Sequence, residues 1–179
     1  MALARAVHLL ETGGVVAHAL EGVWGLACDP FDAGAVARVL RIKRRPVSKG
    51  LIVVAASPAP FAEELGDLSP TVRDAVLASW PGATTWVVPN HSFPAWITGG
   101  APTVAIRVPA HAQARALAER FGGALVSTSA NLSGWPPARS ELVVRRHFGR
   151  TVDWVLPGAT AGRRGPSRIR VAGSGAELR

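Results

Sequence analysis

The chain has 179 residues, of which 48% are hydrophobic and 18% charged, with a formal net charge of +8. These proportions are globular and exclude a disordered chain, and no apolar run approaches the ~20 residues of a membrane span. A single cysteine, Cys28, excludes an internal disulfide and a cysteine zinc cluster. The length predicts one domain over residues 1–179. The amino end lacks a signal-peptide pattern, so cytoplasm is the expected compartment.

Ala2 to Thr12 reads as an amphipathic helix closed by Gly13-Gly14, and Val15 to Ala19 as a first strand. Glu21 to Asp29, with Gly22 and Gly25 around Trp24, reads as short and irregular. Asp32 is placed to cap a helix reaching about Arg41. Leu51 to Ala56 is an unbroken apolar run suited to a buried central strand. Pro58 to Leu65 predicts a short helix, and Ser69-Pro70 opens another to about Trp80. Thr84 to Val88 and Thr103 to Val108 are strands, with an ordered loop from Asn90 to Ala101 between them. Gln113 to Phe121 is helical and ends at Gly122-Gly123. Ala124 to Thr128 is a strand, Ser140 caps a helix through Phe148, and Val152 to Leu156 and Ile169 to Val171 are the last strands. About seven strands interleaved with about five helices predict an α/β layer structure with a mixed, twisted sheet.

Three stretches carry chemistry. The first is I-K-R-R-P-V-S-K-G at 42–50, where Lys43, Arg44, Arg45 and Lys49 fall between a predicted helix and a predicted strand. Lys43 and Lys49 are the chain's only lysines. Guanidinium forks and ammonium groups make charge-assisted bonds to phosphate oxygens, so a shaped cationic loop suits a polyphosphate. A solvated helix end whose charges favour the C-terminal dipole is the competing reading. The second stretch is S-T-S-A-N-L-S-G at 127–134, directly after an apolar strand. Hydroxyl and amide groups outside a strand end can bond phosphate, ribose or an amino-acid head group, although the same residue types also build turns. The third is Arg107 in T-V-A-I-R-V-P, placed either to clamp a carboxylate or phosphate or to pair with an acid.

Phosphate-cradling glycine loops, metal-ligand spacings and nucleophile elbows are missing from the sequence. Cys28 lacks a cationic neighbour in sequence and reads as a small buried hydrophobe. The positive charge attracts phosphates, nucleic acid included, at long range.

Together, K-R-R-P-x-x-K-G-L at 43–51, A-I-R-V-P at 105–109, S-T-S-A-N-L-S-G at 127–134 and G-P-S-R-I-R at 165–170 resemble the YrdC/TsaC family. E-G-V-W-G-L-A-C-D-P at 21–30 and W-P-G-A-T-T at 80–85 fill the intervals. The resemblance implies the family's short single-domain form, with a YrdC-like twisted mixed sheet and a basic concave face. It implies a nucleotidyltransferase, an L-threonylcarbamoyladenylate synthase that joins L-threonine, bicarbonate and ATP and releases pyrophosphate. Downstream proteins of the family's pathway move the threonylcarbamoyl group to adenosine 37 of tRNAs reading ANN codons, giving t6A. The family's K-x-R…S-x-N tetrad falls on Lys43, Arg45, Ser129 and Asn131. By the same matching Arg45, Lys49, Thr103 and Ser129 surround ATP, and Arg107, Ser127 and Ser167 face threonine. Mg²⁺ arrives with the nucleotide, and no protein metal ligands are implied. Adenylation by fixed cations needs no nucleophilic side chain, which accords with the missing triad.

The chain departs from the family before Glu21, where His18-Ala19-Leu20 replace the usual Tyr-Pro-Thr. A leucine cannot hydrogen-bond an amino acid. Two further readings follow from this departure and from the net charge: a synthase using another amino acid or making simple carbamoyl-adenylate, or a basic tRNA- or double-stranded-RNA-binding relative without synthase activity. Trp24, at a usually aromatic position, is either a wall for adenine or substrate or part of the core.

Overall fold

Apolar residues at every second position give the strands two different faces, and the helices cover those faces unequally. The computed structural model describes residues 1–178 and contains eight strands in one sheet. They are β1 Val16–Ala19, β2 Trp24–Cys28, β3 Ile52–Val54, β4 Thr84–Pro89, β5 Thr103–Arg107, β6 Leu125–Ser129, β7 Trp154–Val155 and β8 Arg168–Val171. Their spatial order is β7-β1-β2-β6-β3-β5-β4-β8. The pairs β1/β7, β3/β5 and β4/β8 are parallel, and the other four are antiparallel. The helices are α1 Ala2–Glu11, α2 Ala33–Lys43, α3 Ala62–Gly66, α4 Pro70–Ala78, α5 Ala95–Thr98, α6 Ala112–Phe121 and α7 Glu141–Phe148, with 3₁₀ turns at Val47–Lys49 and Ala59–Phe61.

One face of the sheet is fully packed. Trp24, Leu26, Val53, Trp86, Ile106 and Val126 point into it, against Val36 and Val39 of α2, Val76 of α4, Ile97 of α5 and Phe148 of α7. The opposite face is covered in part. There α1 and α6 bury Val16, Ala27, Val54 and Leu125 beneath Ala6, Leu10, Leu117 and Ala118. Farther along these strands the same face carries His18, Ser127, Ser129 and Arg107 and opens into a cavity.

The α/β layers are those expected from the sequence, and three segments differ. The sheet has eight strands where about seven were expected, because Trp24–Cys28 is a strand and not an irregular segment. All five of its residues are buried, and it pairs along both edges, with β1 and β6. A strand enclosed on both sides tolerates the small Gly25, which with Gly22 had made the segment read as irregular. The described residues hold seven α-helices rather than about five, one of them inside the segment read as the Asn90–Ala101 loop. Finally, α2 runs past Arg41 to Lys43, which changes where the cations point. Trp24 is fully buried in the core, and Cys28 is buried as expected.

Capping accounts for several boundaries. The Asp32 carboxylate accepts from the Ala35 amide at 2.9 Å, and the Ser140 hydroxyl accepts from the Val143 amide at 3.4 Å. Ser69 precedes Pro70, but its side chain makes no cap bond.

Candidate active site

The cationic run is divided by a single left-handed residue. At the end of α2 the Arg45 amide donates to the Leu40 carbonyl and the Arg44 amide to that of Arg41, both at 3.0 Å. This is a Schellman closure with Arg44 at φ 48°, a position usually held by glycine. The chain therefore reverses between Lys43 and Arg45. Lys43 is buried inside the molecule, Arg44 is exposed, and Arg45 and Lys49 line a cavity of about 350 Å³. That volume lies in the ~300–1,000 Å³ range of small-molecule sites.

Period-two alternation and strand register bring the remaining groups to the same cavity. Thr103 and Arg107 come from β5, Ser127 and Ser129 from β6, and Ser167 from just before β8. Two stretches more than eighty positions apart thus meet, with Arg45 and Ser129 on one hollow. Every residue expected around ATP lines it, and so does every residue expected to face threonine. Lys43 and Asn131 stand behind Ser129 and do not line it.

Their arrangement explains that position. The Lys43 ammonium donates to the Ser129 carbonyl, to the Asn131 carbonyl at 3.0 Å and to Asn131 Oδ1 at 3.1 Å. Three donors meet three acceptors, so the group is saturated by the loop it holds. Ser129 Oγ donates to Asn131 Oδ1 at 2.6 Å, which fixes the hydroxyl. Burial, together with the nearby Arg45 charge, lowers the Lys43 pKa to about 8. Arg45 is held too: its Nε donates to the Gly50 carbonyl at 3.1 Å and Nη2 to that of Lys49 at 2.9 Å. Burial lowers its pKa as well. A guanidinium tied by two backbone carbonyls meets a phosphate without first losing rotamer freedom.

Arg107 does both of the things its sequence position allowed. It lines the cavity, and it is paired with the buried carboxylate of Glu21 while its Nε donates to the Gly82 carbonyl at 2.8 Å. Burial would raise the Glu21 pKa, but the Arg107 guanidinium outweighs it and holds the carboxyl below its usual range. Two of the guanidinium nitrogens are engaged by the protein, so the fork is partly used before any substrate arrives. Ser127 Oγ lies 3.2 Å from His18 Nε2, and Ser167 Oγ lies 2.8 Å from Thr85 Oγ1.

Sequence reasoning missed Glu21 as the partner of Arg107, His18 as the partner of Ser127, and Ser48 and Thr98 in the cavity lining. A lone arginine in an apolar strand was a signal that a buried acid was needed. No signal of that kind marked His18, whose partner is 109 positions away. Among the described residues no group of three or more His, Cys, Asp or Glu side chains is arranged to hold a metal ion. No helix among them is long and apolar enough to cross a membrane.

The sequence model of the Sua5_yciO_yrdC family, described as "Telomere recombination", matches residues 8–177. The chain belongs to this family. It is 50% identical over 171 residues to the threonylcarbamoyl-AMP synthase of Halorhodospira halophila, covering 95% of this chain and 90% of that one. It is 47% identical over 169 residues to the enzyme of the same name from Cellvibrio japonicus, covering 92% and 88%. Among solved structures, P. abyssi Sua5 complexed with L-threonine superposes with a TM-score of 0.89 at 30% identity, over 94% of this chain and 50% of that one. The chain thus spans about half the length of that Sua5. E. coli YciO shares the fold, with a TM-score of 0.84 at 20% identity over 94% of this chain and 82% of that one. The Sua5/YciO/YrdC fold is the mixed sheet anticipated from the motifs.

Proposed function

We propose that this family member is a threonylcarbamoyl-AMP synthase, which condenses L-threonine, bicarbonate and ATP and releases pyrophosphate. The amino acid's amine attacks the carbonyl carbon of bicarbonate; the N–C bond forms, the C–OH bond breaks, and the hydroxide leaves as water with a proton from the amine, giving a carbamate. A carbamate oxygen then attacks the α-phosphorus of ATP, the bond to the β-phosphate oxygen breaks, and pyrophosphate departs. Forming a bond to the nucleotide's α-phosphate makes the enzyme a nucleotidyltransferase. The product supplies the threonylcarbamoyl group of t6A through downstream proteins that act on tRNA.

The observation that carries this reading is the meeting of Arg45, Lys49 and Ser129 with Arg107, Ser127 and Ser167 in one hollow. It occurs in a chain half identical to a synthase of that name. Arg45 and Lys49 face the phosphates and stabilise charge that grows on the leaving pyrophosphate. Thr103 and the Ser129 hydroxyl orient the nucleotide. Lys43 and Asn131 act through Ser129 by keeping its loop and hydroxyl in place. Arg107, Ser127 and Ser167 hold the amino acid. Mg²⁺ prefers oxygen ligands and retains water, so it rides on the triphosphate rather than in a protein cage.

Mass spectrometry of the product made from ATP, bicarbonate, Mg²⁺ and single amino acids tests the proposal. The expected result is threonylcarbamoyl-adenylate with one pyrophosphate per product. A product formed with another amino acid alone would move the substrate assignment, a reading motivated by Leu20 on the cavity wall. Unconsumed ATP with every amino acid would overturn the synthase reading.

A further inference from the structure

The strand register sets His18 opposite Gly25 of β2 and Ala27 opposite Ser127 of β6. Residues 25 and 27 share a face, so His18 and Ser127 stand on the same side of the sheet with β2 between them. Strands lie about 4.8 Å apart, so a side chain from β1 can meet one from β6 only by lying across β2. Gly25 makes this crossing possible. A Cβ there would stand 3.2 Å from Ser127 Oγ, 3.2 Å from Leu20 Cδ1 and 3.3 Å from His18 Nε2. The three side chains therefore converge over one missing side chain. Ser127 and Leu20 line the cavity, and His18 does not.

We propose that His18 is a positioning residue for the amino-acid subsite: its Nε2 accepts a hydrogen bond from the Ser127 hydroxyl and turns the Ser127 oxygen lone pairs toward the substrate. This inference rests on the synthase reading and deepens it, because it assigns part of amino-acid recognition to a pair where the family's usual residue 20 is replaced by leucine.

The pairing requires a neutral ring. Burial keeps the ring neutral, lowering its pKa to about 4, and the nearby His111 acts in the same direction against the weaker opposing pull of Glu21. A neutral imidazole has one donor and one acceptor nitrogen. With Nε2 accepting from Ser127, the ring proton sits on Nδ1. Ser127 then has its hydrogen committed inward and only lone pairs to offer. It becomes an acceptor for an N–H or O–H of the amino acid, beside an apolar wall from Leu20.

Kinetics of His18→Phe and His18→Gln test the proposal, with ¹⁵N NMR of the histidine rings in the wild-type protein as a readout independent of activity. Phenylalanine fills the space without an acceptor, and glutamine restores one. At saturating ATP, His18→Phe is expected to raise the amino-acid KM about tenfold and leave the ATP KM within twofold. His18→Gln is expected to recover most of that loss, and Ser127→Ala added to His18→Phe to cost little more. An unchanged amino-acid KM in His18→Phe, equal rises in both KM values, or multiplying losses in the double variant would overturn it. The NMR spectrum is expected to show a His18 Nδ1–H tautomer that does not titrate above pH 5. An Nε2–H tautomer would overturn the proposal even if the enzyme were active. An inactive wild-type protein with the Nδ1–H tautomer would instead refute the synthase reading and leave the His18–Ser127 assignment standing.

Discussion

The ammonium of Lys43 lies 3.1 Å from the side-chain oxygen of Asn131, a residue 88 positions later, and its other contacts are the Ser129 and Asn131 carbonyls. The last residue of α2 thereby fixes the loop that follows β6. A charge held there favours a particular loop geometry, so the site should respond to its loss. Turnover is expected to fall as pH rises through about 8, where this ammonium deprotonates. Stability should move the other way. Lysine in the unfolded chain keeps its proton to about 10.5, so between about 8 and 10.5 the folded state binds fewer protons and Lys43 contributes stability that rises with pH. Parallel pH profiles of pyrophosphate release and urea midpoint check both signs. Lys43→Met should lose activity at every pH and abolish the alkaline limb.

Glu21 forms a buried ion pair with Arg107, which lines the cavity. Removing one member leaves the other charge uncompensated in the interior, at a cost of about 3–5 kcal/mol. Glu21→Ala is expected to lower stability by that amount in urea unfolding. Acid should act in the same direction. The folded Glu21 carboxyl titrates below its ordinary 4.5, so its contribution is present above pH 4.5 and is lost as pH falls through the lower folded value. His18 adds a second acid-sensitive contribution. It ionises at 6.5 when unfolded and about 4 when folded, so stability falls from pH 6.5 to 4 by ~3 kcal/mol. His18→Gln should flatten the upper part of that acid limb.

Gly25 carries a sharper prediction than its place in a strand would indicate. A methyl group there meets Leu20, Ser127 and His18 at 3.2–3.3 Å, so the neighbours must yield by a few tenths of an ångström. Crowding of this kind costs about 1–3 kcal/mol. Gly25→Ala is expected to lower the melting temperature and raise the amino-acid KM severalfold, with the ATP KM nearly unchanged. Equal rises in both KM values would show a general disturbance of the sheet.

Arg44 offers the opposite case. Its left-handed φ of 48° ends α2, and its side chain is exposed outside the cavity lining. An L-residue in that region costs roughly 1–2 kcal/mol, which glycine avoids, partly offset by the freedom glycine gains when unfolded. Arg44→Gly is expected to raise stability by about 0.5–1 kcal/mol in chemical denaturation and to leave kcat unchanged.

The mixed α/β sheet was legible in the sequence, and so were the stretches that line the cavity. The hydroxyl cluster after β6 and the cation run before β3 were visible because each combined an unusual residue set with an element boundary. Arg107 stood out as the one charge in an apolar strand. Strand β2 was obscured because Gly22 and Gly25 are turn residues by composition, whereas their smallness here serves close packing. A Cβ on Gly22 would stand 2.2 Å from the Gly165 carbonyl oxygen. The division of labour within the cation run could not be read either. It depends on one backbone dihedral at Arg44, and an arginine gives no hint of a left-handed conformation. Lys43 therefore looked like another phosphate ligand, when its three acceptors are all protein groups. The loop from Asn90 to Ala101 hid α5 because four residues are too few to show helical periodicity.

The most direct test of the central claim is pyrophosphate release by the wild-type protein, Arg45→Ala and Ser129→Ala with ATP, bicarbonate and threonine. If one cavity binds the triphosphate between these residues, both variants should keep the wild-type circular dichroism spectrum and lose at least about a hundredfold in rate, equivalent to roughly 2.7 kcal/mol of lost transition-state stabilisation. Folded variants that release pyrophosphate at the wild-type rate would contradict the account.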